Sequence, residues 1–425
     1  MSKYSQQRKL AARLCAILGA ATVLITISTL HHLRPTEIQS GHFSPLRWGL
    51  KSATSVHSCT PEAWSSGFWD YQPPAGTNTS TGRPKVAKEP DALVLAGFPK
   101  CASTREYWWH LGVEDRVRWP RFPGVTSWKW VPGEQCQGFE ERTAERMIKH
   151  LVEEGGWLLV GGTILFRFRR TWFSSLMLRF LDSVTENHFF SLSCLLSPHV
   201  TVSPDFKALG RFEHDWPQYI YLNPDSQLLD ELSPPAGFDP HTTPLVAYRR
   251  VDLLLSREEV VNAHRMMNGT LKQDQLFDTK EKLFTVSHQD YMAQFFTPLP
   301  AGGYRTLIAN TGAHWTTHLF IGLGGIEDIL GLFETAMRGW AAVVGTSLAL
   351  VNKKAYRGRD YRVLVRSYPP GHNNCMRMHY PLQEVEPFDT KTYNWDELTI
   401  FNYIMEVSTR FMTTPISWRL HLRRE

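Results

Sequence analysis

A run of four large apolar residues, Trp157 to Val160, is closed on each side by a glycine pair, Gly155-Gly156 and Gly161-Gly162. A short apolar run bounded in this way reads as a buried strand. A second piece, Asp182-Ser183-Val184-Thr185-Glu186-Asn187-His188, leads into apolar residues at helical spacing from Phe189 to Leu196. Between them lie residues 162–181, which lack Pro, Asp and Asn and so do not read as an ordinary loop. Without these twenty residues the text becomes Gly-Trp-Leu-Leu-Val-Gly-Asp-Ser-Val-Thr-Glu-Asn-His. That is a strand, a tight turn, a serine and a helix, the geometry that sets a hydroxyl at a helix N-terminus where backbone N–H groups stabilise an oxyanion. If Gly162 is read from GGT and Leu181 from TTA or CTA, a GT…AG excision across these twenty residues keeps the frame and leaves an aspartate codon. The expectation is that 162–181 is translated intron sequence; the alternative is a hydrophobic surface helix.

The 425 residues are 42% hydrophobic and 20% charged, which suits one large or two small globular domains. The net charge of +5 comes from dispersed Lys and Arg, with no basic stripe for nucleic acid. Fifteen tryptophans fit either core packing or sugar stacking. Leu14 to Leu30 carry no charge and follow Lys3, Arg8, Lys9 and Arg13. This pattern predicts a type II signal anchor with the N-terminus cytosolic, in preference to a cleaved signal peptide. The expected layout is a cytosolic tail and anchor over 1–34, a stem over 35–56 and a lumenal domain over 57–425, with an atypical tail from 408. Two sequons, at Asn78 and Asn268, agree with lumenal exposure. Beyond the span stand five cysteines, Cys59, Cys101, Cys136, Cys194 and Cys375; in an oxidising compartment the odd number implies a lost partner or a free thiol.

Along the chain, Ala92 to Ala96 reads as a strand, Arg142 to Glu154 as an amphipathic helix, Pro244 to Leu255 as strand and loop, and 256–268 as a helix. Arg249, Arg250 and Asp252 read as a surface ion cluster by default. Tyr304 to Asn310 is a strand ending in Asn310-Thr311-Gly312-Ala313-His314, a turn at the strand end where open α/β sheets build their sites. The Asn310 amide is placed to donate to an oxyanion; His314 is either ligand-facing or structural. Residues 326–350 read as a helix, Tyr361 to Tyr368 as a strand, and the stretch up to about Val407 as a final helix. Strands alternating with helices predict a mainly parallel, three-layer α/β/α fold. No metal-ligand spacing is visible, so no metal is expected.

Five segments together resemble the fungal branch of the PC-esterase family, related to plant trichome-birefringence-like polysaccharide O-acetyltransferases. They are Cys101 to Leu111, Ser127 to Cys136, the split Gly161 and Asp182-Ser183, Asn310 to Trp315, and Pro370 to Cys375, within roughly residues 57–407. The resemblance implies an SGNH-type serine acyltransferase or esterase in the Golgi or ER membrane. Its substrates would be an acyl donor such as acetyl-CoA and a polysaccharide hydroxyl, with no bound cofactor and no nucleic-acid partner. It makes Ser183 the nucleophile beside Asp182, and puts Gly161, Asn310 and His314 in the oxyanion and substrate site. The base would be a histidine in a C-terminal Asp-x-x-His block. The sequence departs from this pattern twice: residues 162–181 separate Gly161 from Ser183, and the tail from Ser408 to Glu425 has no Asp-x-x-His. His288, His314 and His372 are the substitutes to consider for the base. The chain as written is therefore expected to be an inactive or incomplete enzyme, or a carbohydrate-binding protein on the same fold. A third reading takes the strand expected at Ala92 to Ala96, then Gly97-Phe98-Pro99-Lys100, then a helix, as the phosphate loop of a sulfotransferase, although no second nucleotide-binding element follows.

Overall fold

The computed structural model describes residues 59, 63–64, 66–73, 86–98, 100–104, 113, 116–136, 143–162, 184–209, 217–354, 360–369 and 394–410. The expected anchor and stem, the sequon at Asn78, residues 163–183 with Asp182 and Ser183, His372, Cys375 and the tail beyond 410 lie outside the described residues. Among the described residues no helix is long and apolar enough to cross a membrane.

Strand β1 (Phe68–Tyr71) pairs antiparallel with β2 (Trp128–Val131). Between them lies helix α1 (Asp91–Leu95), which corrects the strand expected at Ala92 to Ala96. Five apolar residues do not distinguish strand from helix by periodicity, and the flanks decide. Pro90 sits at the N-cap, Asp91 Oδ2 accepts from the Ala87 and Lys88 amides at 2.9 and 3.0 Å, and Gly97 at φ +87° ends the turn. Helix α2 (Ala144–Glu153) starts at Thr143, whose hydroxyl accepts from Arg146 N, and buries Met147, Ile148, Leu151 and Val152 on one face. Then come β3 (Gly156–Gly161), helix α3 (Val184–Leu195), β4 (Val200–Ser203), β5 (Gln218–Leu222) and β6 (Pro244–Arg250). Helix α4 (Arg257–Met266) opens on a capping box between Ser256 and Glu259. It is followed by α5 (His288–Phe295), β7 (Tyr304–Asn310), α6 (Ile326–Lys354), β8 (Arg362–Val365) and α7 (Leu398–Arg410).

Six strands form one sheet in the order β4-β5-β6-β3-β7-β8. The four strands from β6 to β8 are parallel, while β4 and β5 add an antiparallel edge. The sheet is thus mixed and mostly parallel, in line with the mainly parallel sheet expected. β3 lies in its middle with every residue buried, as a run with no polar alternation requires. Its side chains divide between two cores. Leu158 and Val160 pack with residues of α4 to α7, and Trp157 and Leu159 with residues of α2 and α3. Helices therefore cover both faces of the sheet. Each fully buried Leu here contributes about 1.5–3 kcal/mol relative to exposure.

Four of the five cysteines beyond the expected span are joined: Cys59 to Cys136, and Cys101 to Cys194. The second bond ties residues 100–104 to α3, where Ala102 N also donates to Ser193 O at 2.9 Å.

Candidate functional site

The four parallel strands end on the same side of the sheet, and Gly161, Asn310 and His314 collect there. β3 stops at Gly161, and α3 begins beside it. A Cβ placed on Gly161 would strike Thr185 Oγ1, Asn310 Oδ1 and the Asn310 carbonyl. Only a residue without a side chain lets the first turn of α3 and the end of β7 close on the same point. The two ends of the chain that bracket 163–183 therefore stand side by side.

Asn310 closes β7 and is 1% exposed. Its Oδ1 accepts from the Thr185 hydroxyl at 2.5 Å, and its Nδ2 is buried with no hydrogen-bond partner among the described residues. Burying an unsatisfied donor costs about 1–3 kcal/mol, so an orphan in this position needs an explanation. On the other side of Thr185 lies Arg366, directly after β8. Its Nη2 donates to Thr185 Oγ1 at 3.4 Å and its Nη1 lies 3.4 Å from His188 Nδ1. A guanidinium at a helix N-terminus puts two positive ends together, an arrangement that favours an anion.

The turn after Asn310 is held rigidly. The Thr311 hydroxyl donates to the Asp252 carbonyl at 3.1 Å and accepts from Trp315 Nε1 at 3.1 Å. Gly312 takes φ +143°, and Trp315 is fully buried, stacked on Phe320 at 5.2 Å. This turn carries His314 to Asp252, with Nε2 3.5 Å from Oδ1. The imidazole also packs on Gly162, where an added Cβ would fall 2.8 Å from Cδ2.

Arg250 and Asp252 do not lie on the surface, as expected, but are 4% and 0% exposed. Arg250 Nε donates to Asp252 Oδ1 at 3.0 Å, the Phe284 N–H donates to Oδ2 at 2.8 Å, and the guanidinium lies 3.9 Å above the Phe284 ring. Sequence alone showed two charges two positions apart. The partner that draws them inward is more than thirty residues downstream.

Of the other histidines, His288 pairs through Nδ1 with Glu259 Oε1 at 2.7 Å. Burial alone would raise the Glu259 carboxyl, but His288, the Ser287 hydroxyl and the Ser256 N–H outweigh it and bring its pKa down to about 2. His288 thus belongs to the cap of α4. Lys100 is exposed, and helix α1 rather than a strand precedes Gly97. The strand that the phosphate-loop reading places before Gly97 is therefore a helix instead. Asn268 is exposed at φ +62° in the turn that ends α4, open to a glycan. A cavity of about 270 Å³ opens at the opposite end of the strands, lined by Gly156, Pro244, Gly303, Arg305 and Tyr361, and none of the site residues borders it.

Thr185 and Arg366 were not anticipated from the sequence. The same strand-end rule that marked Asn310 points to Arg366, one residue beyond β8; Thr185 carries no comparable signal. Among the described residues no group of three or more His, Cys, Asp or Glu is arranged to hold a metal. No protein-family model, curated protein or solved structure matches the chain.

Proposed function

We propose that the protein is a lumenal, serine-dependent O-acyl transferase or esterase acting on polysaccharide hydroxyls, of the PC-esterase kind. The observation that carries this reading is the meeting of Gly161, the first turn of α3 and the buried, unspent Asn310 amide at the sheet edge. Ser183 immediately precedes α3 in the chain. In this reading its hydroxyl gives its proton to the base, attacks the acyl carbon and expels the donor's thiol or alcohol, and the acyl-serine ester is then taken by a sugar hydroxyl or by water, which frees the serine. The Asn310 N–H2, together with backbone N–H groups at the start of α3, receives the charge that develops on the acyl oxygen. His314, whose Nε2 faces Asp252, is assigned as the base. The two disulfides and the exposed Asn268 support a lumenal location behind an N-terminal anchor.

The test is transfer of acetyl from acetyl-CoA to xylan, and hydrolysis of p-nitrophenyl acetate, by the full chain and by a variant lacking residues 162–181. Because Gly161 and the start of α3 are already neighbours, the shortened chain should fold and turn over faster than the parent, and Ser183→Ala should abolish turnover in both. Turnover unchanged by Ser183→Ala rejects the reading.

A second reading, a non-catalytic glycan-binding protein, draws on the β1–β2 ribbon. Trp69 and Tyr71 are 41% and 48% exposed and share one face with Trp128 and Trp130. Glycan binding that survives Ser183→Ala, with no acyl turnover in any variant, would favour it.

A further inference from the structure

We propose that Arg366 and Thr185 are positioning residues that fix which atom of the Asn310 amide is offered to a ligand. This rests on the acyl-transfer reading of the same site and goes beyond it. The argument is one of hydrogen-bond polarity. A guanidinium only donates, whereas a hydroxyl both donates and accepts. Arg366 Nη2 points a hydrogen at Thr185 Oγ1, so the hydroxyl spends a lone pair there and sends its own hydrogen onward. The acceptor it meets is Asn310 Oδ1, at 2.5 Å. With Oδ1 committed to Thr185, Nδ2 is the atom left as an available donor, and it is the one buried without a partner among the described residues.

In the flipped amide, Nδ2 would face Thr185. The hydroxyl would then accept twice, its hydrogen would lose its acceptor, and a buried carbonyl oxygen would be left over. That arrangement offers an acyl oxygen an acceptor instead of a donor. The three residues lie just after β8, in α3 and at the end of β7, so the polarity set at one strand end is read out two strands away, beside β3. Thr185 and Asn310 are each 1% exposed, so water does not compete for the bond between them.

Two readouts separate this clamp from the reading it rests on. The first needs no activity. In the full chain labelled with ¹³C at asparagine side-chain carbonyls, the Asn310 resonance is assigned by its loss in Asn310→Ala. It should move in Thr185→Val, which cannot donate, and return in Thr185→Ser. The second is turnover of p-nitrophenyl acetate. Thr185→Val should lower kcat about 10²-fold with KM within about twofold, the pattern of a contact made only in the transition state. Thr185→Ser should restore most of that loss, and Arg366→Met should fall between them. Thermal unfolding of each variant checks that the fold is intact. If Thr185→Val leaves both the resonance and kcat unchanged while Ser183→Ala abolishes turnover, the clamp is overturned and the acyl-transfer reading stands. If Ser183→Ala is as active as the parent, the acyl-transfer reading falls and the catalytic purpose of the clamp falls with it.

Discussion

At the end of β6, the Asp252 carboxylate accepts from Arg250 and from the Phe284 N–H, and an aromatic ring covers the guanidinium. At the ends of β3 and β7, Asn310 is buried just as deeply, yet only its oxygen is engaged. Both clusters sit on the same edge of the same sheet, and both carry the desolvation cost of burying polar groups. In the first, Arg250 and the Phe284 N–H hold the carboxylate from two directions, and it also faces His314 Nε2 at 3.5 Å. The second keeps one donor unspent. What sets Asn310 apart is that its unspent donor lies where β3, β7 and the start of α3 meet.

Three substitutions press on that difference. Asp252→Ala leaves the Arg250 charge buried without its carboxylate and should cost about 3–5 kcal/mol, read as a lowered denaturant midpoint. A loss below about 1 kcal/mol would remove the distinction between the clusters. Asn310→Ala should do the reverse. Its stability cost should be about 1 kcal/mol, the value of one internal hydrogen bond. Its effect on ester turnover should be about 10²–10³-fold in kcat, the usual consequence of removing an oxyanion donor. Equal effects on stability and turnover would mean that Asn310 is scaffold too.

The smallest effect concerns Glu259, another held carboxylate. Its pKa is depressed to about 2 in the folded chain, so the stability it contributes is present above its ordinary value of 4.5 and fades as pH falls toward about 2. Between about pH 5 and about pH 3 the parent should lose more stability than Glu259→Gln, measured by urea unfolding at each pH. Parallel pH profiles would mean that the carboxylate is not held by His288 and Ser287 in solution.

Much of the scaffold could be read from local pattern, and much of the site could not. The glycine-bounded run at β3, the strand ending at Asn310 and the Ser256-to-Glu259 helix start are written in contiguous residues, and the structure has all three. The run at Ala92 failed because five apolar residues carry no period and the flanking Pro90 and Asp91 favoured a helix. Which strands run antiparallel is not written locally, because β5 alternates buried and half-buried residues in the same way whichever direction its neighbour runs. The burial of Arg250 and Asp252 depends on Phe284, and the roles of Thr185 and Arg366 depend on three elements meeting. Neither is a property of any one segment.

The central place of β3 also has a consequence in time. Its two neighbours are residues 244–250 and 304–310, so a ribosome finishes the middle strand long before it finishes either partner. Helix α3 and the Cys101–Cys194 bond draw only on chain made before residue 200, and both can form early. The strand they flank must wait, with its whole hydrogen-bonding edge open, until β6 emerges and then β7. Pairing between such distant segments is slow and exposes apolar surface meanwhile. Folding of this protein should therefore be paced by synthesis of its second half, and a chain stopped before residue 244 should be held by chaperones as an unpaired strand.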